Sequence, residues 1–325
     1  MFANPQIEQM ARDSLRKLQE EKLKKELRWV QEKSAFYQSH FAAAGVDIKE
    51  IETLDDIRKL PFLTNVDLYK TDSFDMLTMP ISSVLRFAHL QEQSGALLKL
   101  YTNGDIGHNV EMVARMLVST GVNQTSVVGI VGDMADTRFM DIQYALELLG
   151  AAVVAFGADS RQWLPIMEHM TVDSIVAAPQ MVLQLIIQMQ AAGKNIVDYP
   201  LARVICVNPN AIQNPMQRHI YERTKAEVYN VYAPAPIGMG GMLCPCEART
   251  GQHLQEDHFY GELIAFNSDE PVTDPHQMGE LVITTLDAEA MPLIRYRTGQ
   301  AVSFDDTPCK CGRTLRRVLT PFSFI

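Results

Sequence analysis

The chain has 325 residues, 47% hydrophobic and 21% charged, which is typical of an ordinary globular protein with one large domain or two smaller ones. Its formal net charge of −10 argues against nucleic acid or an anionic membrane as a partner, because both favour a basic face. No apolar run reaches the roughly 18 residues that span a bilayer, and the N-terminus lacks the apolar segment of a signal peptide, so we expect a cytoplasmic protein.

Residues 1–80 are predicted to form a helical lead-in that packs on the core. Residues 6–42 are rich in Glu, Lys, Gln and Leu and contain neither Gly nor Pro, a composition that favours helix. Thr53 precedes LDDIRKL and Asn65 precedes VDLYK, so each is expected to cap the N-terminus of a further helix.

Residues 81–237 are predicted to form an α/β core. From about residue 107 to residue 232, apolar runs of strand length alternate with helical patterns, which indicates crossover units and a buried parallel sheet. The predicted strands are SVVGIVG, AAVVAFG, VDSIVAAP, ARVICVN and EVYNVYA. Ligands of such sheets bind beyond the carboxyl ends of the strands, where the sequence places Asp133, Asn208 and Tyr232.

Residues 238–325 are predicted to form a β subdomain. GELIAFN, GELVITTL, PLIRYRTG and QAVSF are short apolar runs separated by turn residues, a pattern typical of antiparallel strands. RYRTGQ (295–300) alternates as a strand, carries two arginines and ends in a Thr-Gly turn with Gln300 at its tip. Two arginines on an apolar strand that leads into such a turn suggest a ligand contact.

The cysteines and one histidine form a pattern that predicts a metal site. Four of the five cysteines fall in two Cys-x-Cys pairs, and a histidine follows the first pair. Three thiolates and one imidazole meet the tetrahedral requirement of structural zinc, provided that the strands between the two pairs fold back on themselves. The predicted ligands are Cys246, His253, Cys309 and Cys311, with Cys244 as a substitute for Cys246. The alternative is a set of small buried thiols and a surface histidine.

Other catalytic motifs are absent from the sequence, which contains no nucleophile elbow, GxGxxG or GxxxxGK[ST]. EQSGALLKL (92–100) offers one Ser and one Gly beside the acidic Glu92, so taken alone it predicts a hairpin turn rather than a phosphate loop. The scattered histidines, among them His108 and the His258 of QEDHFYGEL, are expected to be core, surface or β-edge residues. No catalytic residue is assigned.

Several of these segments together resemble the phenylacetate–coenzyme A ligase family of adenylate-forming enzymes, which includes coenzyme F390 synthetase-like members. The similarity runs along nearly the whole chain. It is carried by WVQEKSAFYQSHFAAAGVDIKEIETLDDIRKLPFLT, by the order Tyr-x-x-Glu-x-x-Gly-Ala-x-Val at 144–153, and by QHLQEDHFYGELI, GELVITTL, PLIRYRTG and CGRT.

The resemblance implies an α/β fold, that of the adenylate-forming large domain, with a helical lead-in, a mostly parallel sheet and a C-terminal β subdomain. Members of the family make an acyl-adenylate from ATP and a carboxylic acid and pass the acyl group to coenzyme A. Their small C-terminal domain carries a catalytic lysine, and we expect that domain to be absent, because the chain ends about where the hinge into it would begin. Members often carry a zinc cluster at the positions of the four predicted ligands.

The sequence departs from the family's pattern where ATP would bind. The phosphate loop, SSGTTGK in the family, falls over HLQEQSG (89–95), which has few of its hydroxyls and glycines. Pro236 stands where a glutamate helps to hold magnesium, and Gln300 where an aspartate binds the ribose hydroxyls. The degenerate pocket for a nucleotide or acyl group is predicted to contain Ser94, Gly95, Asp133, Asn208, Tyr232, Pro236, Arg297, Thr298 and Gln300.

Three functions stay open on these grounds. The first is a pseudoenzyme, an adenylation scaffold that binds another ligand or a protein partner and is not expected to use ATP and magnesium. The second is an enzyme of altered chemistry that acts on an acyl-CoA or acyl-adenylate with a small acyl or aromatic group. The third is a working aryl or acyl acid–CoA ligase whose small domain lies outside this chain. Zinc is the expected structural cofactor, and coenzyme A binding and a homodimer stay open.

Overall fold

The computed structural model of the chain describes residues 1–92, 95–157, 159–274 and 276–321. These residues form two compact units. The first unit comprises Met1–Ala3, Asn109–Pro234 and Gly238–Glu247, and the second comprises Asn4–His108, Ala235–Ile237 and the described residues from Ala248 onwards. The second unit therefore contains both the lead-in and most of the β region, while the predicted domain boundaries at residues 80 and 237 stay predictions. Within the described ranges, no helix is long and apolar enough to cross a membrane.

The lead-in is divided into several helices, although its composition predicts a continuous helix over residues 6–42. Its α-helices are α1 (Pro5–Glu8), α2 (Arg12–Lys33), α3 (Ala35–Ala44) and α4 (Asn65–Lys70). Ser34 separates α2 from α3 because its backbone is extended and its hydroxyl accepts a hydrogen bond from the Tyr37 amide. The N-cap of α4 is Thr64, in a capping box with Asp67, so the prediction of Asn65 as the cap is wrong.

Short 3-10 helices complete the lead-in, and one of them confirms a predicted cap. They cover Ile48–Glu50, Leu54–Lys59 and Ile81–Ser83. Thr53 caps the second of them in a capping box with Asp56. Leucine, isoleucine and aromatic side chains of the lead-in pack with Leu286 and Ile294 in one buried cluster. The lead-in thus packs on the β region of its own unit.

A hairpin and a long helix follow the lead-in. Strands β1 (Arg86–Glu92) and β2 (Gly95–Tyr101) pair antiparallel, and α5 covers Asn103–Ser119. On one face of the hairpin, Ala88, Leu90, Leu97 and Tyr101 form a small core with Ala235. The last pair of the hairpin is Glu92 with Gly95, so two residues connect the paired strands.

The first unit is built around a parallel sheet, as the alternating pattern predicts. Its elements are β3 (Val127–Val131), α6 (Thr137–Leu148), β4 (Ala152–Ala155), α7 (Trp163–His169), β5 (Ser174–Ala177), α8 (Pro179–Ala191), β6 (Arg203–Asn208), α9 (Gln217–Thr224), β7 (Glu227–Tyr232) and β8 (Leu243–Pro245). The strand order is β4–β3–β5–β6–β7, with every pair parallel. The buried valines and isoleucines of the strands pack against α7, α8 and α9, as right-handed crossovers require.

The second unit contains an antiparallel sheet, again as predicted. Its strands are β9 (Gln252–Leu254), β10 (Phe259–Ile264), β11 (Gly279–Thr285), β12 (Tyr296–Asp305) and β13 (Arg317–Leu319), in the order β10–β11–β12–β13–β9. PLIRYRTG and QAVSF, predicted as two strands, contribute to the single strand β12. A β-bulge between them absorbs the Thr-Gly turn. The described residues thus form the predicted α/β fold, with a helical lead-in, a mostly parallel sheet and a C-terminal β region.

Candidate functional site

The β1–β2 hairpin occupies the position of the phosphate loop in the family pattern. Glu92 pairs with Gly95, so only residues 93 and 94 lie between the paired strands. Ser94, a predicted pocket residue, lies outside the described residues. The backbone of Gly95 has φ +132°, and Tyr69 lies beside it at 3.5 Å from where a Cβ would stand. The hairpin prediction is confirmed, and the described backbone leaves no long loop whose N–H groups could converge on a phosphate.

Lys99 is a buried cation in this hairpin, and the sequence reasoning did not single it out. Its side chain is 7% exposed, and its ammonium donates a hydrogen bond to the backbone carbonyl of Pro236 in the same unit. Burial lowers the pKa of Lys99 to about 8, although the charge of Asp105 acts in the opposite direction. A lysine on a strand can point to either face, so the alternation of residues alone did not reveal this contact.

Asp105 organises the segment after the hairpin. Its carboxylate accepts hydrogen bonds from the Thr102 amide at 2.9 Å, from the Glu289 amide at 2.7 Å and from the Ala290 amide at 3.1 Å. A carboxylate with several amide donors is held in a fixed position. Asp105 therefore fixes the backbone of residues 289–290 and places a negative charge in the vicinity of Lys99.

Three of the predicted pocket residues lie at the carboxyl edge of the parallel sheet. Asn208 ends β6 and pairs with Tyr232, which ends β7. Tyr232 is 2% exposed, and the side chain of Asn208 is occupied locally by the Asn210 amide and the Gln213 carbonyl. Asp133 follows β3, is exposed and accepts a hydrogen bond from the Ala135 amide at 2.9 Å. The edge that open α/β sheets use for ligands thus carries these polar groups.

Two further predicted pocket residues, Thr298 and Gln300, lie in the bulge of β12, and a third, Arg297, directly precedes it. Glu280 pairs with Ala301 and Val282 with Arg297, so residues 298–300 lie opposite one residue of β11. The Thr298 hydroxyl donates to the Leu281 carbonyl at 2.7 Å and accepts from the Gln300 amide at 3.2 Å. The bulge presents Gln300 as a half-buried side chain.

The two arginines of RYRTGQ form ion pairs within the second unit. Arg295 is 3% exposed and donates to both oxygens of Glu262, at 3.1 and 3.0 Å. It also lies over the Phe62 ring, 3.9 Å from its centroid. Arg297 pairs with Glu280 at 2.9 Å and with Asp269 at 3.1 Å. The described donors of Arg295 are therefore directed to protein groups. Arg297, next to the bulge, is paired with the carboxylates of Glu280 and Asp269.

The second unit brings three predicted zinc ligands together. The ligand atoms of His253, Cys309 and Cys311 lie within 4.8 Å of one another. His253 is fully buried, and its Nε2 lies 3.3 Å from the Cys311 Sγ. Its Nδ1 donates to the Leu315 carbonyl at 2.8 Å, which fixes the tautomer and leaves Nε2 for a metal. Burial raises the pKa of the Cys309 thiol, but the hydrogen bond with His253, the backbone hydrogen bond with Cys311 and the charge of His253 together lower that pKa.

The other predicted thiol ligands lie in the first unit. Cys246 is 1% exposed and follows β8 directly. Cys244, the substitute ligand, is buried within β8, where its Sγ contacts the Gly241 carbonyl at 3.9 Å. Cys206 lies in the buried strand β6, and burial raises the pKa of its thiol to about 12. Such a thiol stays protonated, so Cys206 is a core residue.

A second cluster of ligating side chains was not predicted from the sequence. His108, His258 and Asp287 offer ligand atoms within 4.8 Å of one another, all in the second unit. The available signal was the run Glu-Asp-His at 256–258, which was interpreted as a charged β edge. His108 is separated from it by about 150 positions, so no local spacing could connect the residues.

Sequence comparisons find phenylacetate-coenzyme A ligases along most of the chain. The ligase of Aromatoleum evansii is 30% identical over 296 residues, which cover 90% of this chain and 67% of that protein. The ligase of Thermus thermophilus is 29% identical over 318 residues, or 97% of this chain and 71% of that protein. No protein-family model matches the chain.

Solved structures show the same fold. The crystal structure of 2-hydroxyisobutyryl-CoA ligase in complex with 2-HIB-AMP and CoA, in the thioesterification state, superposes with a TM-score of 0.90 at 19% identity. The match covers 98% of this chain and 70% of that one. An open conformation of the same ligase gives a TM-score of 0.88. At this identity the likeness supports the fold alone.

Proposed function

The chain belongs to the phenylacetate–coenzyme A ligase family, and from that premise we propose that it is a ligand-binding member without magnesium-dependent ATP adenylation. The ligand in this proposal is an acyl or aryl group carried on coenzyme A or on an adenylate. The observation that carries the proposal is the hydrogen bond from the buried Lys99 ammonium to the Pro236 carbonyl.

This contact opposes a magnesium ion in two ways. The family pattern has a glutamate at the position of Pro236, and proline offers no side-chain oxygen to a hard cation that requires oxygen ligands. The remaining oxygen of Pro236, its carbonyl, already accepts from Lys99. A dication near this ammonium would be repelled, and the burial of Lys99 leaves little water to screen the two charges.

The hairpin supports the same proposal. In nucleotide sites, backbone N–H groups of a glycine-rich loop converge on the phosphates and offset their charge. Here the antiparallel pairing continues to Glu92 and Gly95, so every second N–H group along each strand is directed to the partner strand. Along the described strands, a triphosphate would therefore find fewer free N–H groups than a glycine-rich loop offers.

Within the second unit, the polar side chain of Gln300 at the β12 bulge is the group that would hold part of a ligand. A neutral amide can bond a hydroxyl, although more weakly than a carboxylate does. The solved relative described above is in complex with an acyl-adenylate and CoA, and these are the ligand classes that we propose.

Calorimetric titration with phenylacetyl-CoA, with a non-hydrolysable phenylacetyl-adenylate analogue and with free CoA tests this proposal. We expect at least one acyl-bearing ligand to bind, with the same affinity in the presence and absence of magnesium. Gln300→Ala should weaken that binding, whereas Gln277→Ala, at an exposed position of the same unit, should not. A complete lack of binding by acyl ligands would refute the proposed ligand class.

A second candidate function is that of a working acid–CoA ligase that acts on an aryl or acyl acid. The identity of 29–30% to named ligases over most of the chain favours it. Pyrophosphate release from ATP in the presence of phenylacetate and CoA would establish this function, with the Aromatoleum evansii ligase as the positive control. No release under conditions in which the control turns over would leave the ligand-binding proposal as the better one.

We also propose that Cys246, His253, Cys309 and Cys311 bind a structural zinc ion. The described geometry of the three second-unit ligands and the tautomer of His253 support it. Cys246 is retained as the fourth ligand from the sequence pattern. A zinc ion bound by these residues would supply a covalent cross-link between distant segments of the chain and thereby stabilise the fold.

Elemental analysis of protein purified without chelator tests the zinc proposal. Wild-type protein should contain zinc, and Cys311→Ser should contain clearly less zinc and show a marked fall in the melting temperature. Cys206→Ala is the matched control, because it removes a buried thiol outside the cluster and should keep the zinc content unchanged. Equal zinc content in wild type and Cys311→Ser would refute the site.

A further inference from the structure

We propose a second metal site, formed by His108, His258 and Asp287, that binds a divalent transition-metal ion such as Zn²⁺. The ligand atoms of the three residues lie within 4.8 Å of one another. Ligands about 2 Å from a common ion lie at most about 4 Å apart, so small side-chain rotations suffice to bring them around one ion. This site does not depend on the proposed function.

His258 is positioned as a metal ligand by carboxylates on both sides of its ring. Its side chain is 7% exposed, its Nδ1 donates to the Asp287 Oδ1 at 2.9 Å, and its Nε2 lies 3.3 Å from the Asp257 Oδ2. A carboxylate behind a ligating imidazole is the usual outer contact of metal-bound histidine. Asp257 can be this outer contact, since its carboxylate lies beside Nε2. Nδ1 then faces Asp287 and is the nitrogen that would bind the ion.

His108 supplies the second imidazole from the other side. It lies near the start of α5, and its ring centroid is 5.2 Å from that of His258, with the planes tilted by 52°. His108 and Asp287 are both half-buried, so the cluster is open to solvent on one side. Two imidazoles and one carboxylate with an open position form a ligand set that suits zinc and related ions.

The charges of the cluster favour a cation. Asp257 and Asp287 contribute two carboxyl groups, and the Lys22 ammonium donates to the Asp287 Oδ2 at 2.6 Å and to the Asp257 backbone carbonyl at 2.6 Å. On binding, the ion replaces the Nδ1 proton of His258, and that proton passes to the buffer.

Cobalt loading of chelator-treated full-length chain tests the site, because Co²⁺ reports its ligands by absorption. We expect the chain to bind one equivalent of Co²⁺ at the Cys/His cluster, which shows thiolate-to-cobalt charge transfer. A second equivalent of Co²⁺, bound by His108, His258 and Asp287, should not show it. His108→Ala should abolish only the second equivalent. His169→Ala, which removes an exposed histidine, should abolish neither. If a variant lost only the cobalt equivalent that shows charge transfer, the substitution would have affected the Cys/His cluster and not the site at His108, His258 and Asp287.

Two further variants distinguish a metal site from a structural hydrogen-bond cluster. Asp257→Asn should weaken the second equivalent about 10- to 100-fold, as outer-contact substitutions do. Lys22→Met removes the cation that competes for Asp287 and should tighten cobalt binding, an effect that a purely structural role would not produce. Far-UV circular dichroism checks that each variant is folded. Unchanged cobalt stoichiometry and affinity in folded His108→Ala would overturn the proposal.

Discussion

Lys99 and Arg295 illustrate two ways in which this chain places a cation in its interior. Arg295 meets a carboxylate, since Glu262 binds it through both oxygens. Lys99 meets a backbone carbonyl, with Asp105 as the charge that favours its protonated form. A carbonyl offsets the lost hydration of an ammonium less than a carboxylate does. The two sites therefore respond differently to pH and to substitution.

The free energy of unfolding should rise with pH over the range in which Lys99 loses its proton. Burial lowers the pKa of Lys99 from 10.5 to about 8. Between these values the unfolded chain binds more protons at this residue than the folded chain, so raising the pH favours the folded state. The full difference corresponds to about 3 kcal/mol. Urea denaturation at several pH values should show this rise in the wild type and not in Lys99→Met; parallel profiles would contradict it.

Removing the Arg295 side chain should strongly destabilise the fold. Arg295→Met leaves the buried Glu262 carboxylate without its charge partner, which typically costs about 3–5 kcal/mol. Chemical denaturation measures the loss. The control is Arg161→Met, because Arg161 binds Asp159 through the same two-pronged contact but is 85% exposed, and its loss should not be measurable. If both substitutions lowered the free energy of unfolding equally, the burial of the ion pair would not be what sets the cost, and the prediction would be wrong.

At the scale of elements, local patterns predicted most of the fold and failed where distant pairing decides. The alternating strands and helices of residues 107–232 follow from hydrophobic periodicity, and the cap at Thr53 follows from its side chain. The bulge of β12 was not predictable, because it depends on which residues of β12 pair with Glu280 and Val282 of β11. The break at Ser34 was missed because helix-favouring residues lie on both sides of it.

The β12 bulge requires a glycine at position 299. Gly299 has φ +70°, a conformation that L-residues adopt at a cost, and a Cβ there would meet nothing within 4 Å. Gly299→Ala should therefore lower the free energy of unfolding by about 1 kcal/mol through backbone strain alone. Gly107→Ala is the matched control, because Gly107 lies in α5 with equal space and no positive φ, and it should stabilise by up to about 1 kcal/mol. Thermal and urea denaturation measure both; the same sign for the two variants would contradict this interpretation of the bulge.

At the scale of the whole molecule, the family could be inferred from the sequence and the site only in part. Segments in family order along the chain identified the phenylacetate–coenzyme A ligase family, and the same segments marked Pro236 and Gln300 as departures from it. That His253, Cys309 and Cys311 lie together was predictable in part, because the Cys-x-Cys spacing of the thiols is a local signal. Lys99 and the cluster around His258 were not, since they depend on side-chain direction and on contacts between residues far apart in the chain.

Calorimetric titration of ATP into the chain, with and without magnesium, is the most direct test of the proposed loss of adenylation. The Aromatoleum evansii ligase serves as the positive control in the same buffer. We predict no magnesium-dependent heat of binding for this chain, because Lys99 and Pro236 oppose the ion and the described strands of the hairpin are paired up to Glu92 and Gly95. Magnesium-dependent ATP binding with an affinity comparable to that of the control would contradict the proposal.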